Sequence, residues 1–364
     1  MSDAVLFLLV LLLGAICFYL AYDRMKANSV NSDSSQYVDS LKDLLDGREE
    51  AAFSKLRQVV AEDTNNLDAY LRLGAILRSN KQPERALQIH KDLTLRTTLS
   101  RNEKISILRQ LAADYTALGE PSTAEKALRE LISLDSRDRW AHASLLKLHE
   151  QSGNWDGAYE TATHILKLES NKSKKPLARL KYLAGEDLFK KREYHKARVA
   201  LKEAISLDPA YVAAYLAIGD SYYEEKRFED AVNIWNKLIT TFPEQGDKVI
   251  ERLKKTLFEL GRYGEIVDIC QTILVHAPKN GEARRTLARL SEKKGDLTSA
   301  IEILEQIVED TPDDQIALFE LGRLYIEKGE KKKLDTLVRS LKRKSGAGFT
   351  VDGFTRSDMS RVSV

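Results

Sequence analysis

The sequence predicts an all-α protein: a right-handed superhelical solenoid of about nine helix-turn-helix repeats behind a single N-terminal transmembrane helix. Three observations lead there. Residues 4–22 (AVLFLLVLLLGAICFYLAY) are a run of 19 without a charge. Proline then recurs at Pro209, Pro243, Pro278 and Pro312, at gaps of 34, 35 and 34. The apolar 43% of the 364 residues is mostly Leu, Ala and Ile, which favours helix over strand. The same composition excludes other classes. Charged residues make up 31% of the chain but nearly cancel, 57 basic against 55 acidic, so the basic surplus of a phosphate-neutralising nucleic-acid binder is missing. The two cysteines, Cys17 and Cys270, are too few for a disulfide framework or a four-cysteine zinc site.

At about 1.5 Å per residue, the 4–22 run spans roughly the 30 Å hydrocarbon core of a bilayer. The short N-terminus before it (1–3) carries only Asp3 and no basic n-region, so the run reads as an uncleaved anchor rather than a signal peptide. Ile16 stands where a lipoprotein site would need a small residue before Cys17. Arg24 and Lys26 follow the run, and the positive-inside rule then places the remaining chain in the cytoplasm. Neither cysteine needs an oxidising compartment there. Tyr19 and Tyr22 take interfacial positions, and residues 23–33 form a polar tether without periodicity.

The repeat array is expected over 34–341. The residue recurring in each second helix is Ala52, Ala86, Ala124, Ala158, Ala197, Ala231, Ile266, Ala300 and Leu334. The gaps are 34 or 35 except for one of 38 and one of 39, where polar loop is inserted near 97–102 and 169–176. The unit from Val212 is the clearest. Tyr215, Ile218, Gly219 and Tyr222 share one helix face, and Ala231, Trp235 and Leu238 share the next, at spacings of 3, 4 or 7. Gly219 and Ala231 let the two helices cross closely, Trp235 fills the groove toward the following hairpin, and Pro243 ends the unit. This pattern resembles the tetratricopeptide repeat. Each hairpin of such an array buries its apolar face only against its neighbours, and the first helices line a concave surface suited to peptides or partner domains.

No catalytic motif interrupts the repeats. His142 and His149 are seven apart, but a zincin pair would need a second histidine where Gly153 stands. His90 takes the groove-filling place that Trp235 holds in its own unit, and Cys270 takes the same place in another, so both read as packed core. No phosphate-cradling or nucleophile-elbow glycine pattern occurs. The expectation is a non-enzyme without metal, cofactor or small-molecule substrate.

Carrying the register of Gly219 along the array gives the inner face. Aromatics fall at Trp140, Tyr182, Phe189, Tyr223, Phe258 and Phe319. Basic groups fall at Arg78, Arg109, Lys147, Arg179, Arg252, Lys255, Arg285, Arg289 and Arg323, with Glu150, Glu186, Asp220 and Glu259 among them. The functional reading is a peptide groove with aromatic anchors and guanidinium clamps for a partner's carboxylates. The bland reading is a solvated helix face. The tail, 342–364, opens with Lys342, Arg343 and Lys344, which with Lys331–Lys333 suit an anionic lipid or acidic partner, or else simply a solvated helix end.

An apolar anchor, a tether and then repeats resemble the bacterial lipopolysaccharide assembly protein B family. The likeness is best from Leu71 to Leu131, carried by Leu77, Arg78, Arg85, Ala86, Ile89 and His90, then by Gln110, Asp114, Tyr115, Gly119, Ala124 and Glu125. The resemblance implies an inner-membrane adaptor that governs proteolysis of the lipid A pathway deacetylase by an FtsH-type membrane protease and helps recruit lipopolysaccharide transport proteins. The family also carries a C-terminal rubredoxin-like zinc module with two Cys-x-x-Cys pairs, whereas no cysteine follows Cys270 here. The expected function is therefore a membrane-anchored cytoplasmic scaffold in envelope biogenesis. The alternative is a periplasm-facing assembly factor for pili or outer-membrane proteins.

Overall fold

The computed structural model describes residues 35–345. The N-terminus (1–3), the expected anchor (4–22), the tether (23–33) and the tail from 346 lie outside the described residues. Among the described residues there is no strand, and no helix is long and apolar enough to cross a membrane.

The helices pair into hairpins, and the hairpins fall into two units divided at Ser173/Lys174. The first unit holds α1 (35–45), α2 (Glu49–Glu62), α3 (Leu67–Ser79), α4 (Pro83–Thr94), α5 (Arg101–Ala117), α6 (Pro121–Leu134), α7 (Arg139–Ser152) and α8 (Trp155–Leu168). The second holds α9 (Lys175–Lys190), α10 (Tyr194–Leu207), α11 (Val212–Glu224), α12 (Phe228–Thr241), α13 (Asp247–Glu259), α14 (Ile266–His276), α15 (Gly281–Lys293), α16 (Leu297–Asp310), α17 (Gln315–Lys328) and α18 (Lys331–Ser345). The two stretched spacings in the sequence are the loops 95–100 and 169–174, and the second of these is where the units divide.

Short polar residues start the helices. Asn66, Asp138, Asn154, Asn280, Asp296 and Asp314 each accept a first-turn backbone N–H, and Ser100 with Glu103 forms a full capping box. Proline stops them. The residue ahead of each periodic proline (Asp208, Phe242, Ala277, Thr311) is the C-cap, with φ of −137°, −136°, −127° and −135°. The proline ring disfavours a helical conformation at the residue before it, so each helix ends there.

Inside each hairpin a small residue lets a large one in. A Cβ on Gly219 would stand 2.1 Å from Trp235 Nε1, and one on Gly74 would stand 2.3 Å from His90 Nε2. Trp235 is buried, donates its indole N–H to the Leu216 carbonyl at 3.4 Å, and packs in one cluster with Ile250, Leu253 and Leu257 of α13. Each such aliphatic side chain contributes about 1.5–3 kcal/mol by burial. The hairpin α13–α14 departs from the pattern. Its recurring position is Ile266, fully buried, and the close approach shifts to Gly246, where a Cβ would meet Ile273 Cδ1 at 2.7 Å. Single 3-10 turns, Pro243–Gln245 and Tyr263–Glu265, bracket α13 and accommodate the change.

Candidate partner-binding face

The expected face residues do lie on the first helices of their hairpins, but the arginines among them do not stand as free clamps. In the first unit, Arg78 on α3 donates to Asp114 Oδ1 at 2.6 Å and to Gln110 Oε1 at 2.9 Å, both on α5. Arg109 on α5 donates to Asp138 Oδ2 at 2.5 Å, and its guanidinium lies 5.2 Å from the ring centroid of Trp140 on α7. In the second unit, Arg252 on α13 grips Asp220 on α11 with two bonds, 2.7 and 3.1 Å. Arg285 reaches Asp314 at 2.5 Å, Arg289 reaches Glu320 at 2.7 Å, and Arg323 on α17 grips both oxygens of Glu292 on α15 at 2.7 and 2.6 Å. The reading of these six as clamps for a partner's carboxylates did not include these internal pairings. The carboxylate each one grips belongs to the adjacent first helix or to its N-cap. A bidentate or short charge-assisted bond to a preorganised internal acid fixes the guanidinium, so a visiting carboxylate competes with the chain's own.

Two of the acids are N-caps that also hold an arginine. Asp138 accepts the Ala141 N–H on one oxygen and Arg109 on the other, and Asp314 caps α17 while holding Arg285. The hydrogen bond to Glu292 holds the Arg323 guanidinium above its ordinary range. Sequence reasoning missed Asp114, Asp138, Glu292, Asp314 and Glu320 as partners. The available signal was separation: these pairs lie 29 to 36 residues apart, about one repeat.

The buried polar groups form packing contacts rather than a catalytic constellation. His90 is fully buried, with Nδ1 2.5 Å from Asp114 Oδ2 and Nε2 3.2 Å from the Leu71 carbonyl, so Asp114 joins His90 and Arg78 in one network. His142 turns Nε2 to the Ser136 carbonyl at 3.0 Å, and its ring lies 4.7 Å from that of His164. His149 is buried beside Asn154, and burial pushes its pKa below the ordinary 6.5. Cys270 is fully buried, and burial pushes its thiol up to about 12. Among the described residues, no group of three or more His, Cys, Asp or Glu side chains is placed to hold a metal ion.

The aromatics divide. Tyr182, Phe189 and Tyr223 are half-buried against ring partners, Tyr211, Tyr194 and Phe228, at centroid distances of 5.1, 5.4 and 5.3 Å. Burial first, then Glu186, pushes the Tyr182 hydroxyl up to about 12. Lys255 sits 4.7 Å above the Tyr223 ring. Phe258, by contrast, is 72% exposed, Phe319 42% and Trp140 39%. Lys147 is exposed on α7, seven residues from Trp140, and has no ion pair among the described residues.

Family models for the tetratricopeptide repeat match residues 182–245 and 257–321. Both of these stretches are tetratricopeptide repeats. It is also 24% identical to lipopolysaccharide assembly protein B of Escherichia coli K12 over 298 residues, covering 79% of this chain and 75% of that protein. The protein of the same name from Haemophilus influenzae is 24% identical over 309 residues, covering 81% and 77%. A tetratricopeptide repeat protein of Parabacteroides merdae aligns with a TM-score of 0.38 at 16% identity, covering 81% of this chain and 99% of that one. The repeats support protein partners for this chain in general.

Proposed function

We propose that this chain is a membrane-anchored cytoplasmic scaffold in envelope biogenesis, acting in lipopolysaccharide assembly or in control of its synthesis through a membrane protease. The observation that carries the proposal is the similarity to lipopolysaccharide assembly protein B, which runs across about four fifths of the chain rather than through a single repeat. The face geometry supports the adaptor role. With its arginines internally matched, the face offers exposed aromatics and Lys147 as anchors, a surface suited to a protein segment with apolar side chains. The partners that follow are an FtsH-type membrane protease, the lipid A pathway deacetylase and lipopolysaccharide transport proteins. The inner membrane, crossed once by residues 4–22 with the repeats in the cytoplasm, is the location that follows from charge.

In-cell crosslinking with a photoreactive residue at Phe258, and separately at Trp140, tests the proposal. The half-buried Tyr223 and Phe189 are poorer sites, since a reactive group there meets the chain's own rings. Recovery of the protease, the deacetylase or the transport proteins is the expected result. Recovery of only unrelated proteins from exposed, folded sites overturns the assignment to lipopolysaccharide assembly. A phosphatase reporter fused after Val364 is expected to be inactive, and an active one would favour the periplasm-facing alternative.

A further inference from the structure

The basic charge of this protein is concentrated in its last described helix. Residues 331–345 (KKKLDTLVRSLKRKS) hold seven basic residues against one acid, Asp335, a net +6 in a chain whose total is +2. The other 349 residues therefore carry −4. Elsewhere in the array, six arginines of the first helices face matched acids of a neighbouring hairpin. On α18 the arrangement differs. Lys333 is paired with Glu305 and Glu330, while Lys331, Lys332 and Arg339 are exposed and have no ion pair among the described residues.

Register explains how one helix both docks and stays charged. Leu334 and Leu337 pack on the cluster formed by Leu304, Leu321 and Tyr325, which fixes the apolar side of α18 against α16 and α17. At about 100° per residue, positions 331, 332, 335 and 339 then fall within roughly 100° of arc, away from that apolar side. Three of the four are basic, and the fourth is Asp335. From 331 to 339 the stripe extends for about 12 Å along a helix of 15 residues.

We propose that this stripe rests on an anionic lipid surface. The chemistry favours lipid over an acidic protein. A protein partner is held chiefly through apolar or aromatic anchors seated in pockets, with charge at the rim. This stripe has neither an apolar residue nor an aromatic one within it. A diffuse negative surface potential needs no such anchor, and attracts a polybasic helix in proportion to its charge.

The test uses the full chain reconstituted into nanodiscs of phosphatidylcholine alone, or with about 30% phosphatidylglycerol. The readout is the acetylation rate of Lys331 and Lys332, with Lys147 of the first unit as the internal reference. The expected result is several-fold slower acetylation of both lysines in the anionic discs, reversed in about 0.5 M salt, where the Debye length falls to a few ångströms. Arg339→Gln, an exposed change, is expected to weaken the contact about fivefold and shrink the protection accordingly. Equal rates in the two kinds of disc overturn the proposal. Equal protection in both also overturns it, since lipid charge is then not the cause. Protection that needs added soluble cell protein assigns the stripe to an acidic partner instead. A chain that elutes apart from the phosphatidylcholine discs reports on the 4–22 run alone; association with anionic discs then becomes the direct reading of the stripe, and no association overturns it.

Discussion

Gly219 and Gly322 both sit in first helices, and the same substitution is expected to act oppositely at the two. An added Cβ at Gly219 would lie 2.1 Å from the buried Trp235 ring, which has no room to retreat. Gly219→Ala should therefore cost about 1–3 kcal/mol. At Gly322 the nearest atom is Leu337 Cδ2 at 3.9 Å, an ordinary contact, so Gly322→Ala should gain about 0.5–1 kcal/mol of helix stability. Urea unfolding of the two variants checks the pair. Cys270, buried and with its thiol pushed to about 12, should resist thiol reagents until the second unit opens, so its labelling rate follows unfolding. The pH dependence has two stages. His149 is held neutral by burial, below its ordinary 6.5, so its contribution is complete above pH 6.5 and is lost as pH falls through the lowered value. Hydrogen bonds from Arg262 hold Glu265 below 4.5, and those from Arg284 and Lys279 hold Asp310 below 3.8. Their contributions are complete above those values and are lost as pH falls through the depressed ones. Melting temperatures should first decline below pH 6.5, a step absent in His149→Gln, and decline again below about 4.5.

At the scale of an element, the hairpins and their apolar packing were legible and the ion pairs between hairpins were not. Periodic apolar spacing and the four prolines marked the helices because local sterics and one-sided burial determine both. The groove-filling roles of Trp235 and His90 followed from register alone. The partners of the arginines depend on which side chain the neighbouring first helix presents, and that acid comes from an N-cap in Asp138 and Asp314 but from within the helix in Asp220, Glu292 and Glu320. No single register carries both kinds, so reading the face as a list of outward residues assigned the guanidiniums to a visitor. A double-mutant cycle on Arg252→Ala and Asp220→Ala tests the internal assignment. Both side chains are about a third exposed, 39% and 35%, so solvent screens the pair, and a coupling of about 0.5–1 kcal/mol is expected.

For the whole molecule, stability should be graded rather than uniform, because each hairpin leans only on its neighbours. Within the second unit, the cluster of Trp235, Leu238, Ile250, Leu253 and Leu257 is the most completely buried, each at 1% exposure or less. Hydrogen exchange should be slowest in α12 and α13 and faster in α18, which ends the described array; uniform protection across the unit would contradict this. The rungs between first helices also bear on how such a chain can change over generations. Each arginine answers to an acid about one repeat away, so the hairpins are not interchangeable. Removing α13–α14 deprives Asp220 of Arg252, and inserting a foreign hairpin strands a charge on each side of the seam. At a seam that a rung crosses, duplication keeps the pair only when both halves are copied together, so the ion pairs act as a mild spelling rule on the order of the repeats.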